Sequence, residues 1–234
     1  MQFFKSILSA FYPNTCIARG DIIDEDESLC AYCFEMLPRV DLLKNCIRCG
    51  LPKKDCDCKN HVFYYNGCIA PFYNDATAKV AMYKFKFRKA EKNADFFVKN
   101  LALTVKTVYR DIKFDAVTYV PLTTKKNLKR GFNQSKILAS KLAEILGLPL
   151  FDNLLYCKQN KTSQHDLKNP KDRFKNVEGL YGCMHKVKGN ILLIDDIKTT
   201  GATLNECAKQ LILSGADKIY CATGLITYNR KDKK

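Results

Sequence analysis

The sequence predicts an α/β protein built on a mostly parallel sheet, preceded by a small cysteine-rich module. Three observations carry this. Strand-like and helix-like segments alternate from about residue 61 onward, the pattern of a sheet covered by helices. Asn190-Ile-Leu-Leu-Ile194 is continuously apolar, as a strand buried on both faces reads. Eight of the 12 cysteines fall before residue 70, several in close pairs. A chain of 234 residues has room for one medium domain and one small module. The expected division is 1–60 for the cysteine-rich module and 61–234 for the sheet.

The elements follow in order. His61 to Tyr73 is rich in aromatic and β-branched residues and predicts strands. Ala76 to Arg88 predicts a basic helix. Ala94, Phe97, Val98, Leu101, Val105 and Val108 recur at helical spacing and predict a second. Asp115 to Pro121 predicts a strand ended by proline. Leu138, Leu142, Ile145 and Leu146 mark a third helix closed by Gly147. Asn160 to Asn176 is polar, lysine-rich and contains Pro170, which predicts a long loop. After the apolar strand, Leu204, Cys207, Ala208, Leu211 and Ile212 mark a further helix closed by Gly215. Lys218 to Thr227 predicts the last strand. No internal repeat is present.

Apolar residues make up 47% and charged residues 27%, which excludes a disordered chain and supplies a buried core. No run approaches the roughly 20 apolar residues that span a bilayer, so no membrane insertion is expected. The apolar start is broken by Lys5 and Ser6 and ended by Pro13, without a signal-peptide core. A cytoplasmic location is the expectation. The net charge of +15 is unevenly spread. Residues 1–60 hold 8 Lys and Arg against 9 Asp and Glu, and residues 61–234 hold 31 against 15. A basic surface attracts phosphate-rich partners; a lysine-rich surface with no such partner is the plainer alternative.

Cys30-Ala-Tyr-Cys33 and Cys46-Ile-Arg-Cys49 are C-x-x-C knuckles, and Cys56-Asp-Cys58 is a tighter pair. Such a turn points two sulfurs at one ion, and two turns supply a tetrahedral thiolate set for structural zinc. Sixty residues bury little core, so a metal would provide much of their folding free energy. A disulfide framework would need an oxidising compartment. Cys46, Cys49, Cys56 and Cys58 can form one site. Cys16, Cys30 and Cys33 resemble a second with one ligand missing, Arg19 standing where a partner of Cys16 would be. A single site from Cys30, Cys33, Cys46 and Cys49 is also open, and His61 could complete a set. Cys207 and Cys221 sit in apolar patterns and read as small core residues.

The sharpest signal is Ile191-Leu-Leu-Ile-Asp195-Asp196-Ile-Lys198-Thr199-Thr200-Gly201-Ala202-Thr203. A buried strand delivers two acids to its carboxyl end. A turn of Thr, Thr, Gly and Thr then opens a helix, where backbone N–H groups and hydroxyls hold a phosphate well. Gly201 lets the backbone come close to that phosphate. The carboxylates suit neighbouring sugar hydroxyls or a hydrated magnesium ion. The run resembles the signature by which phosphoribosyltransferases hold phosphoribosyl pyrophosphate (PRPP). Thr199, Thr200, Gly201, Ala202 and Thr203 are its candidate phosphate contacts, with Asp195 and Asp196 as sugar or magnesium contacts. Lys129 and Arg130 follow a strand end and could offset charge on departing pyrophosphate. Asp195, Asp196 and Arg130 are thus the candidate catalytic residues.

Pro121-Leu122 followed by Lys129-Arg130-Gly131-Phe132-Asn133-Gln134 resembles the R-G-F-N-Q motif of the ComF family. Tyr83 to Arg88, with Lys86, is similar to that family's basic and aromatic segment, and Gln164, Arg173 and Asn176 resemble its loop pattern. The likeness runs from Cys16 to the last strand and departs at Arg19, where the family usually shows another cysteine. It implies a zinc module joined to a type I phosphoribosyltransferase-like domain that binds PRPP with magnesium. It also implies a role in natural competence, with single-stranded DNA and a competence helicase as partners. Lys84, Lys86, Arg88 and Lys89, interleaved with Phe85 and Phe87, suit single-strand contact; an amphipathic helix with at least one phenylalanine in the core is the plainer alternative. A nucleobase phosphoribosyltransferase of salvage, or a sensor of PRPP without catalysis, are the competing functions.

Overall fold

The computed structural model of the protein describes residues 13–56, 58–88, 91–123, 131–158 and 177–228. Lys125, Lys126, Lys129, Arg130, Gln164, Arg173 and Asn176 lie outside the described residues, as do Lys89 and the side chains of Phe87 and Arg88.

A short helix α1 (Ala31–Glu35) lies in the cysteine-rich segment. Then come β1 (Gly67–Ile69), β2 (Phe72–Tyr73), α2 (Ala76–Arg88), α3 (Glu91–Val108), β3 (Ala116–Tyr119) and α4 (Gln134–Leu146). After these follow β4 (Leu155–Cys157), β5 (Tyr181–Cys183), β6 (Asn190–Lys198), α5 (Ala202–Leu213) and β7 (Lys218–Ile226). The central sheet has the order β1-β7-β6-β3, with β2 also pairing β7, and every pairing in it is parallel. The mostly parallel α/β class is therefore borne out. β4 and β5 form a separate antiparallel pair that the sequence pattern did not reveal; each is only three residues long and only partly buried.

Ile191 to Ile194 are wholly buried because helices cover both faces of β6. Leu192 and Ile194 join one core with α2, α3 and α4, while Ile191 and Leu193 join the other with α5. Ala78, Ala81, Met82 and Phe85 on α2, and Ala94, Phe97, Val98, Leu101 and Val105 on α3, supply the first core at helical spacing. Cys207, Ala208 and Leu211 of α5 supply the second, and Cys207 and Cys221 are core residues as their patterns implied. α4 begins on Asn133 and stops at Gly147, whose φ of 65° is the left-handed C-terminal cap expected there.

The strand expected over His61 to Tyr73 is shorter than its composition implies. Only 67–69 and 72–73 are strands, separated at Pro71, which has no N–H to donate to a ladder. Along this edge the cysteine-rich segment docks through its backbone. Val40 N donates to Pro71 O at 2.9 Å, Tyr73 N to Pro38 O at 2.7 Å, and Cys68 N to Ile47 O at 2.8 Å. Cys16, Ile17, Leu29, Cys33 and Leu37 share the first core with Phe72 and Phe96. A segment too small for its own core thus borrows one.

Candidate functional site

Parallel sheets present their ligand sites at the carboxyl ends of strands. Here β6 carries Asp195 and Asp196 to that end. The alternation of faces along β6 shifts by one within this pair, since Ile197 returns to the core already joined by Leu192 and Ile194. Asp195 Oδ1 accepts from Ser135 Oγ at 2.9 Å and from the Asp196 N–H at 2.8 Å. Asp196 Oδ2 lies 2.6 Å from Lys86 Nζ, both side chains being mostly buried. Burial, and then the charge of Asp196, push the Asp195 carboxyl up to about 7, against the hydrogen bonds from Ser135 and the Asp196 N–H and the charge of Lys86.

Three elements build this arrangement. Asn133 caps α4, accepting from Ser135 N at 3.0 Å and Lys136 N at 3.4 Å, and donates through Nδ2 to Val120 O at 3.1 Å. The cap sets Ser135 against Asp195. Gln134 Nε2 donates to Lys86 O at 3.3 Å, tying the start of α4 to the end of α2. The Asn133-Gln134-Ser135 run therefore supports the acidic pair from behind. Sequence reasoning missed Ser135 and the inward aim of Lys86. A small hydroxyl residue just inside a helix start was the available hint.

The turn after β6 has the shape its residues imply. Gly201 has φ 83° and heads α5, and as a glycine it offers no side-chain cap of its own. Thr200 Oγ1 accepts only a 3.4 Å contact from Ala202 N. The N–H groups of a helix's first turn favour an anion there. A Cβ at Gly201 would lie 3.0 Å from Lys198 Cε and 3.3 Å from Tyr65 Oη. Thr199 is exposed, Thr200 and Thr203 are partly exposed, and Ala202 is buried.

The cationic and aromatic stripe read on α2 is divided by the fold. Phe85 is 1% exposed and belongs to the core, as the plainer reading of that helix had it. Lys84 Nζ donates to Ala18 O at 2.5 Å and Lys86 faces Asp196. Neither lysine is left as a bare surface cation.

The cysteines gather into two groups. The sulfurs of Cys46, Cys49, Cys56 and Cys58 lie within 4.8 Å of one another, and so do those of Cys16, Cys30 and Cys33. The arrangement with Cys30, Cys33, Cys46 and Cys49 at one ion does not form, and His61 is in neither group. Cys46 and Cys58 are 3.9 Å apart and Cys49 and Cys56 3.8 Å. Zn–S bonds of ~2.3 Å at tetrahedral angles put sulfurs ~3.8 Å apart, so the four-thiol group fits such an ion. Either group could hold a metal ion.

No family model matches the chain. It is 29% identical over 211 residues to competence protein ComFC of Bacillus subtilis (strain 168), covering 83% of this chain and 82% of that protein. It is 29% identical over 153 residues to competence protein F of Haemophilus influenzae, covering 60% and 64%. It is 32% identical over 103 residues to DNA utilization protein YhgH of Salmonella typhi, covering 44% and 45%. Among solved structures, adenine phosphoribosyltransferase from Thermoanaerobacter pseudethanolicus is similar at 16% identity, with a TM-score of 0.32 over 60% of this chain and 83% of that one. The resemblance to the ComF family that the motifs carry is thus borne out across most of the chain.

Proposed function

We propose that this relative of the ComF competence proteins binds PRPP at the end of β6 and acts in DNA uptake together with single-stranded DNA. The observation that carries the binding reading is the junction of two carboxylates with the glycine-headed, hydroxyl-lined helix start at Gly201. The α5 N-terminus and the hydroxyls of Thr199, Thr200 and Thr203 suit the 5′-phosphate. Asp195, held by Ser135, suits the ribose hydroxyls. Lys86 already faces one oxygen of Asp196, so hydroxyl recognition is favoured over tight metal binding by this pair. Magnesium would enter with the pyrophosphate, and Lys129 and Arg130 are the residues proposed to meet that group. Structural zinc in the four-thiol group would stabilise the cysteine-rich segment against the sheet.

The role in DNA uptake draws on the names of the relatives, two of them competence proteins and one a DNA utilization protein. The charge of +15 supports contact with a polyanion. Division into modules at about residue 60, a helicase partner and a cytoplasmic location belong to the same proposal.

Two measurements test it. Calorimetry with PRPP, with and without magnesium, is expected to show binding to the wild type and a loss of at least tenfold in Asp195→Asn. No heat with the folded wild type would remove the pocket reading. A deletion strain is expected to lose transformation and to regain it with the wild-type gene; undiminished transformation would remove the competence role. Release of pyrophosphate with a panel of nucleobases would instead favour salvage.

A further inference from the structure

Resting on the sugar-phosphate reading of the α5 start, we propose that Lys198 and Tyr65 are specificity-determining residues of that site, and that they make it take a doubly charged phosphate monoester in preference to a singly charged ester. Lys198 is the last residue of β6 and pairs with Ile226 of β7, and its O accepts from Thr227 N at 2.7 Å. Ile197 faces the first core, so the next side chain turns to the other side of the sheet, beneath the head of α5. Tyr65 reaches the same place from the segment before β1, its ring packed on Phe63 at 5.0 Å between centroids.

These two side chains break the usual rule for buried polar groups. Lys198 is 4% exposed, yet among the described residues no carboxylate pairs with its ammonium. Lys86, at the same end of the sheet, has Asp196 as its partner. Buried charges are normally paired, because taking an ion out of water is costly. Tyr65 is 1% exposed, and its Oη has no hydrogen-bond partner among the described residues. Buried hydroxyls nearly always have one. Both groups converge on Gly201, where a Cβ would lie 3.3 Å from Tyr65 Oη and 3.7 Å from Lys198 Nζ. A cation and a donor without partners thus stand against a helix start that already favours an anion. The backbone N–H groups and threonine hydroxyls serve the oxygens of any ester; the ammonium adds the charge that separates two negative charges from one. The competing partner is Cys68, wholly buried on β1. Its thiol is lowered first by a hydrogen bond with Cys221 and then, against burial, by the charge of Lys198.

The test uses the full chain purified with zinc and two probes, ribose 5-phosphate and ribose 5-sulfate. Calorimetry is run at pH 8, where the phosphate ester carries two charges and the sulfate ester one. Wild type is expected to bind the phosphate ester about tenfold more tightly or better. Lys198→Met should lose most of that preference, and Lys198→Gln should do the same if methionine disturbs the fold. Tyr65→Phe should weaken both esters alike, by roughly threefold to tenfold. Because neither group has a partner in the free protein, each variant should keep or raise the urea midpoint. A lysine serving as counter-ion to Cys68, or a hydroxyl with a structural role, would lower it on removal. Neutral variants at Lys198 that keep the wild-type preference, or midpoints that fall at both positions, would overturn this inference alone. A wild type that binds neither ester would remove the sugar-phosphate reading with it.

Discussion

Lys86 Nζ stands 2.6 Å from Asp196 Oδ2, and this ion pair joins the last turn of α2 to the end of β6. Both side chains are only 14% exposed, so water screens the pair poorly. The lysine has a structural partner within the site, and the acid beside it is left to Ser135.

Lys86→Met should therefore destabilise the protein by roughly 1–3 kcal/mol, below the full cost of breaking a wholly buried pair. Lys86→Met combined with Asp196→Asn should recover part of that loss, because no unpaired carboxylate remains. Urea unfolding of the two single variants and the double variant measures the coupling. Strictly additive losses would show that the pair contributes nothing.

Asp195 gives the stability curve a defined pH dependence. Its folded value is about 7 and its ordinary value 3.8, with burial as the chief cause. Between those values the native chain keeps a proton that the unfolded chain has lost. Stability from this group therefore falls as pH rises through that window and levels off above about 7. Asp195→Asn should flatten the slope and be at least as stable as wild type at pH 8. Urea midpoints across that range check it, and an unchanged slope would assign the effect to another group.

Gly201→Ala should cost about 1–2 kcal/mol, since φ 83° disfavours a Cβ and that Cβ would crowd Lys198 and Tyr65. It should also weaken phosphate-ester binding at the start of α5. Unfolding and calorimetry on one preparation separate the two effects.

Asn133→Ala removes a cap that satisfies two N–H groups and should cost about 1 kcal/mol or somewhat more. Because the same cap seats Ser135 against Asp195, the variant should also lower affinity for PRPP. Asn133→Asp, which keeps the acceptor, should restore most of the stability. Equal losses in both variants would point to the bond from Asn133 Nδ2 to Val120 O instead.

Metal removal should reach beyond the cysteines. Gly50, next to Cys49, packs so closely on Ile226 and Cys68 that a Cβ there would lie 2.6 and 2.8 Å from their atoms. Stripping zinc with a strong chelator should lower the melting temperature by several degrees, each kcal/mol being worth roughly 2–4 °C in a chain of this size. Cys46→Ser should mimic this without chelator. A melting temperature indifferent to both would deny the metal a structural role.

What the sequence determined by itself was local. The apolar run of β6, the helical spacing of Ala94 to Val105 and the terminating Gly147 are short-range patterns, and each became the expected element. The turn at Thr199 to Thr203 was readable for the same reason, because strand, glycine and helix start lie within one stretch of chain. Which side chains meet across the molecule was decided only by the tertiary structure. Lys86 reads as a surface cation on its own helix and becomes the partner of Asp196 because α2 packs beside the end of β6. Ser135 reads as an ordinary polar residue and becomes a donor to Asp195 because α4 starts at that same edge. The grouping of the cysteines was open until Cys16 was brought against Cys30 and Cys33, and Cys46 and Cys49 against Cys56 and Cys58. Spacing along a chain sets what a turn can point at one ion, but only the packing of one segment on another chooses which turns share it.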